Sequence, residues 1–302
     1  MKFNKPALNY QQQIALLKQR GMQIADETSA ATALARLNYY RLAAYWYPFY
    51  DGDPKNHQFR PGTNLDAVLR IYDFDRRLRL RLVDAIERFE VALRTQFAYV
   101  LAHTHGAWAY EDPVLFSDQQ KHTGRLGSLD GEIRRSEESF IKHYLQTYTT
   151  PQRPPIWVVC EVMSLGLLSG LFDNLKARKD RQAIAGHFGL DEVVLRSLAH
   201  HVTVVRNICA HHGRLWNRQF VVTTKLPKKG PVRVMQALEP AAPRKLYNTL
   251  VLIADMLLVI SDDRNWRAQL IGLIDEYPEA DVAAMGFPAD WRNRQIWAEV
   301  IS

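Results

Sequence analysis

Apolar positions recur at three- and four-residue steps along most of the chain, the period of helices with one buried face. Gln11 to Arg20 carries Ile14, Leu16 and Leu17 in a polar background, and Gly21 ends it. A second helix is expected from Asp26 to Ala44, with Thr28 or Ser29 as its N-cap. It runs into an aromatic cluster of Tyr39, Tyr40, Tyr45, Trp46, Tyr47, Phe49 and Tyr50, and the chain breaks at Asp51-Gly52-Asp53-Pro54 and at Arg60-Pro61-Gly62. From Asn64 to about His103 no Pro or Gly interrupts the pattern, so one long helix is expected. Pro113 to Arg125 reads as irregular, Leu129 to Tyr148 as a charged helix, and Ile156 to Asn174 as an apolar, buried one. Asp180 to Gly186, Asp191 to about Arg214 and Arg244 to Ile260 complete the helices, and a tail follows with Trp266, Trp291 and Trp297. Val221 to Thr224 and Val232 to Val234 flank Pro227-Lys228-Lys229-Gly230-Pro231, which fits either a short hairpin or a basic loop. No strand–helix alternation of the kind that builds a parallel sheet is present. The expected fold is all-α, in three parts: an N-terminal helical unit over 1–60, a helical core over 61–265 and a helical tail over 266–302.

Composition narrows the partners. The 302 residues are 47% hydrophobic and 24% charged, a globular balance. Lys and Arg outnumber Asp and Glu by 39 to 32, and the pI is near 9.3, which modestly favours a polyanionic partner. Two cysteines, Cys160 and Cys209, are too few for a disulfide framework or a cysteine-rich zinc site. With no signal-like apolar run near Met1, a cytoplasmic location is expected. The most apolar stretches, Ile156 to Phe172 and Leu250 to Ile260, are broken by Glu161, Gly166, Gly170 or Asp255, so no membrane span is expected.

The segment Leu198 to Arg218 mixes Arg, Asn and His into an otherwise apolar helix. Asn207 and His211 are four apart and share a face; Arg206 sits about 100° around the axis, within reach of the same side. Gly213 is expected to stop the helix, placing the group at a C-terminus where the dipole favours cations. A histidine can take a proton from a ribose 2′-hydroxyl while an arginine holds the phosphate. That pairing suits RNA cleavage by internal transfer without a metal or other cofactor. One histidine does not easily serve both ends of an in-line displacement, so a symmetric partner is implied.

Arg206-x4-His211 resembles the R-x4-6-H signature of HEPN-domain ribonucleases, in its Arg-Asn form. The resemblance widens through Asn38-Tyr39-Tyr40-Arg41-Leu42, Tyr45-Trp46-Tyr47-Pro48-Phe49, Tyr72-Asp73-Phe74-Asp75-Arg76-Arg77-Leu78-Arg79 and Ala85 to Arg94, and continues through Pro155-Ile156-Trp157 and Arg206 to Arg218. In these stretches the chain resembles the Abi family, AbiD/AbiF-like abortive-infection proteins, over about residues 5–260. The resemblance implies a HEPN-like helical bundle with an N-terminal helical extension, a homodimer, anti-phage defence, and association with a small noncoding RNA. Arg206 and His211 would be catalytic, with Asn207 beside them. His212 offers an alternative spacing.

Each candidate carries a plainer reading. Arg206, Asn207 and His211 fit a buried polar cluster that caps a helix or pins an interface as well as a catalytic one. His200, His201, His211 and His212 do not suit a metal, because His200 and His211 lie about 16 Å apart along a continuous helix. Tyr39, Tyr40 and Arg41 suit base stacking beside a cation, or simple packing. Arg214, Trp216 and Arg218 are placed to touch phosphate or base, and Lys228 and Lys229 to bind phosphate without specificity. Glu87 and Arg94 are candidates to orient the motif from behind, whereas Glu90 fits an ordinary charge ladder. Cys209 is expected to be a packing residue. Two other functions compete with the endoribonuclease: a structured-RNA-binding protein that does not cut, and a DNA-binding repressor using helices within Gln11 to Ala44.

Overall fold

The computed structural model describes residues 6–298. Among them the fold is all-α, with fourteen α-helices and no strand. One helix organises the rest. The uninterrupted pattern after Asn64 forms α4 (Leu65–His105), 41 residues and about 61 Å long. The Asn64 side chain caps its start by accepting from Ala67 N–H, and Gly106, at φ 95°, ends it. Its buried positions, from Leu65 and Val68 through Phe89 to Leu101, are covered by α3 (Tyr39–Trp46), α7 (Ile156–Val162), α9 (Arg178–Gly186), α10 (Glu192–Ala210), α12 (Tyr247–Ser261) and α13 (Asn265–Glu276).

α1 (Tyr10–Gln19) and α2 (Glu27–Leu37) form a hairpin at the N-terminal end, with Asn9 and Gln12 closing a reciprocal cap on α1. The N-cap of α2 is Asp26, which accepts from Thr28 and Ser29 N–H, rather than Thr28 or Ser29. The helix expected over Asp26 to Ala44 divides at Asn38, where φ is 63° and the side chain caps Tyr40 N–H of α3. Buried apolar residues from Ile14 to Trp297 form one continuous core, so all three segments expected from the sequence share it. No helix among the described residues is long and apolar enough to cross a membrane.

Three other expectations are corrected by side chains that compete for backbone groups. Pro113 to Arg125 is not irregular throughout: Asp118 caps α5 (Gln119–Arg135), which runs through Gly124 and Gly127. The charged helix over Leu129 to Tyr148 divides at Ser136, whose hydroxyl accepts from Glu138 N–H, and α6 (Ser139–Thr147) follows. The apolar helix over Ile156 to Asn174 divides between α7 and α8 (Leu165–Asn174). There Glu132 accepts from Ser164 N–H, Ser164 caps Leu167 N–H, and Arg94 donates to the carbonyls of Glu161 and Met163. The segment around Val221 to Val234 makes no hairpin. The Val222 carbonyl bonds to His201 and Lys225 N–H to Ser197, both on α10, and Val232–Met235 is a short helix, α11. α14 (Gln295–Ala298) closes the described chain against α11 and α12.

Arg94 therefore holds two carbonyls at a helix break. Arg94→Ala is expected to lower the unfolding free energy by about 2–3 kcal/mol in urea denaturation, and Glu87→Ala, at an exposed site, by less than about 0.5 kcal/mol.

Candidate functional site

α10 ends in a turn that presents the motif. His212 N–H donates to Cys209 O at 3.0 Å and Gly213 N–H to Ile208 O at 2.8 Å, the paired bonds of a Schellman cap. His211 is the C-cap, and His212, not Gly213, takes the left-handed conformation, with φ 56°. Gly213 is needed for another reason: a Cβ there would lie 3.1 Å from the Ile208 methyl and 3.3 Å from its carbonyl oxygen. Arg206, Asn207, His211 and His212 are all exposed. No side chain of the four makes a hydrogen bond or ion pair with any described residue. They are not the buried polar cluster that the plainer reading supposes.

What is buried lies behind them. The carboxylate of Asp75, fully buried on α4, accepts from Leu215 N–H at 2.9 Å, Trp216 N–H at 2.6 Å, Tyr45 Oη at 2.7 Å, and Arg79. Burial raises the Asp75 carboxyl above its usual value, against the opposing pull of Arg79, Tyr45 and the two amides. All four partners donate to it, so the carboxylate is the form they fit. Burial works against the Arg79 charge too, but Asp75 outweighs it and keeps the guanidinium above its usual value. Burial and the Asp75 charge also raise the Tyr45 phenol well above its usual value. Arg79 donates further to Gly213 O at 3.3 Å, and Arg41, from α3, to His212 O at 2.8 Å. The turn is thus held at three consecutive points, His212, Gly213 and Leu215-Trp216, by side chains distant in sequence.

The structure brings Arg41 to the motif, and leaves the neighbouring Tyr40 78% exposed. Tyr39 is half-buried, its ring against Trp46 and its hydroxyl bonded to Arg20. Arg214 and Arg218 are half-buried beside the turn; Arg214 donates to Ala44 O and Arg218 to Arg214 O. Trp216 is corrected: its indole is 2% exposed, stacked against Phe49 and bonded to Asp281 O, so it packs and cannot meet a base. Lys228 and Lys229 are exposed but follow a strand of chain anchored at Ser197, nine residues and about 13.5 Å up α10 from Arg206. Arg94 bonds to Glu90 and to the α7–α8 break, not to the motif; Glu87 is exposed. Cys209 is a buried packing residue whose thiol burial pushes up to about 12. His201 is a core histidine: its Nδ1 donates to Val222 O at 2.8 Å and its Nε2 accepts from Thr249 Oγ1 at 2.8 Å.

A family model described as Abi-like protein matches residues 32–217, well over half of the chain. The chain belongs to the Abi-like protein family. That membership suggests a part in abortive infection, a form of phage defence. No curated protein and no solved structure was found to match it. The Abi-like segment contains every part of the clamp, from Arg41 and Tyr45 through Asp75 and Arg79 to Trp216, and closes one residue beyond it. Lys228 and Lys229 lie outside it.

Sequence reasoning passed over Asp75, Arg79 and Tyr45. A signal was present: Asp75 and Arg79 are four apart and fall on the same face as Val68, Ile71, Leu78 and Leu82, where a solvated charge ladder does not belong.

Asp75→Asn in this Abi-like fold removes one member of a buried ion pair and is expected to cost about 3–5 kcal/mol of stability, read from urea midpoints. His201 gives a pH dependence. Burial lowers its pKa below 6.5, so its contribution to stability is complete above about pH 6.5 and is lost as pH falls through the lower folded value. Between pH 7 and pH 5 the native protein is expected to lose stability more steeply than His201→Gln.

Proposed function

We propose that this Abi-like protein is an endoribonuclease of the HEPN type, acting in phage defence as a homodimer under the control of a noncoding RNA. The observation that carries the reading is the combination at the end of α10. Arg206, Asn207 and His211 are exposed and free of partners among the described residues, while the turn that presents them is fastened from behind. Exposed side chains are solvated and need no protein partner, so these are free to meet a ligand. The protein meanwhile holds the backbone that presents them in place from behind, as a site for an anionic substrate would require.

The chemistry follows from the residue types. His211 removes the proton from a ribose 2′-hydroxyl, and the 2′-oxygen attacks the adjacent phosphorus. The bond from phosphorus to the 5′-oxygen breaks, leaving a 2′,3′-cyclic phosphate and a 5′-hydroxyl that takes up a proton. Arg206 neutralises the charge that builds on the equatorial oxygens, and Asn207, one helical turn before His211, positions the substrate. A second protomer's histidine, across a two-fold axis, provides the acid that one protomer lacks. No step calls for a metal, and the cleavage is expected to survive EDTA.

A second reading, RNA binding without cleavage, is favoured by one observation. The His211 ring has no hydrogen bond to a described residue that would fix its tautomer, an arrangement more usual for a contact residue than for a general base.

The test is incubation of purified protein with single-stranded RNA in EDTA, with the product ends mapped. Arg206→Ala and His211→Ala are each expected to slow cleavage by at least about 10³-fold with melting temperatures unchanged, since both side chains are exposed. His212→Gly keeps the left-handed backbone that glycine adopts freely, so it is expected to fold at least as stably. It separates the two histidines: retained cleavage assigns the chemistry to His211. Tight RNA binding by an uncleaving native protein, undiminished in His211→Ala, overturns the nuclease in favour of the binding reading.

A further inference from the structure

About half of the arginines of this protein are paired with carboxylates among the described residues. Arg79 pairs with Asp75, Arg88 with Asp84 and Asp263, Arg153 with Glu111 and Asp130, and Arg294 with Glu239 and Asp290. The cations just past the motif are not among these, and they gather close to the proposed site. Arg214 and Arg218, on the loop after α10, and Lys245, two residues before α12, form no ion pair with any described residue. Their bonds go to neutral oxygens. Arg214 donates to Ala44 O, Arg218 to Arg214 O at 3.1 Å, and Lys245 to Asn217 Oδ1 at 3.0 Å and Ala284 O at 2.8 Å.

All three are half-buried, so water screens them incompletely. Burial and the Arg214 charge both act against Lys245, whose pKa falls. Burial lowers Arg214 as well, with Arg218 adding to it and Asp75 opposing it. Asp75 offsets part of the Arg214 charge, but its own ion pair is with Arg79 and it makes none with Arg214, Arg218 or Lys245. Asp281, on the segment that Lys245 reaches, commits Oδ1 to Ala283 N–H. Arg214 is repelled by Arg218 and repels Lys245, Asp75 offsets this only in part, and a bound anion would relieve it.

We infer that Arg214, Arg218 and Lys245 form a phosphate-binding subsite separate from Arg206 and His211. It joins Arg214, inside the Abi-like segment, to Arg218 and Lys245 beyond its end. If the ribonuclease reading holds, the phosphate is one in the RNA backbone, next to but not at the scissile bond. The subsite itself stands on three cations that bond only to neutral oxygens and does not need cleavage to occur; a free polyphosphate is the other source of the same chemistry.

The test measures binding of a labelled single-stranded RNA oligonucleotide by anisotropy over a range of salt, in a His211→Ala background that prevents cleavage. A second arm follows the melting temperature in inorganic pyrophosphate. Each phosphate contact removed lowers the slope of log K against log salt by about 0.7, or about fourfold in affinity at 0.15 M salt. Arg218→Gln and Lys245→Met are each expected to show that loss, and Lys245→Arg to restore it. Should Lys245→Met fold poorly, Arg218→Gln carries the test, because its bond is to its own loop. The control is Lys179→Gln, beside Asp180, which bonds to His105 about 45 Å along α4 from Asp75; its slope is expected to equal the parent's. Loss of slope in the oligonucleotide arm supports an RNA subsite even if the native protein cuts nothing. Pyrophosphate stabilisation of the parent that Arg218→Gln loses, with no change in RNA binding, assigns the subsite to a free polyphosphate. Both arms unchanged in Arg218→Gln, or an equal loss in Lys179→Gln, overturns the subsite whether or not the protein is a nuclease.

Discussion

A single buried carboxylate sets the geometry on which the candidate site depends. Asp75 accepts from the amides of Leu215 and Trp216, from Tyr45 and from Arg79, so it joins α3, α4 and the loop after α10 at one point. A lone buried carboxylate is costly, and a buried ion pair often contributes little net stability over an apolar substitute. Its value here is in position. It fixes the direction in which the chain leaves α10, with Arg79 on Gly213 O and Arg41 on His212 O fixing the two residues before. Three side chains far from the motif in sequence thereby hold the backbone of the turn, and leave its own side chains free.

This division of labour distinguishes a functional site from a structural cluster. Elsewhere several arginines tie the fold through carboxylates: Arg88 ties α4 to Asp263 and Arg153 ties Asp130 to Glu111. Around the end of α10 only Arg79 is paired, with Asp75. Arg41, Arg206, Arg214, Arg218 and Lys245 have no carboxylate partner among the described residues, and those that bond do so to neutral oxygens. A protein gains nothing in stability from gathering uncompensated cations. The anionic ligand proposed above would account for their placement.

Much of this was legible in the chain. The unbroken pattern from Asn64 to His103 specifies α4 to within two residues, and the all-α class follows from periodicity. The motif could be singled out because Arg206, Asn207 and His211 stand among apolar residues in the sequence, although the structure leaves all three exposed at the end of α10. Helix breaks were harder, since Asn38, Ser136 and Ser164 act through side-chain bonds to nearby amides that leave no mark on periodicity. The aromatic residues divided unpredictably for a similar reason: Tyr40 and Trp216 both lie near the turn, but only the tertiary fold exposes one and buries the other. Asp75 was readable as a charge on a buried face, yet its partners, 140 residues away, were not. Lys245 carries no local signal at all, because its meaning comes from Arg214 and Asn217 beside it in space.

The most direct test of the clamp is amide hydrogen exchange at Leu215 and Trp216. Both lie outside any helix, where exchange would ordinarily be fast. Bonded to a buried carboxylate, they are expected to exchange as slowly as the core amides of α4, through global unfolding alone. Exchange at the rate of the exposed loop around Lys228 would contradict the account, because the turn would then be open in the native state and its geometry would not be fixed by Asp75.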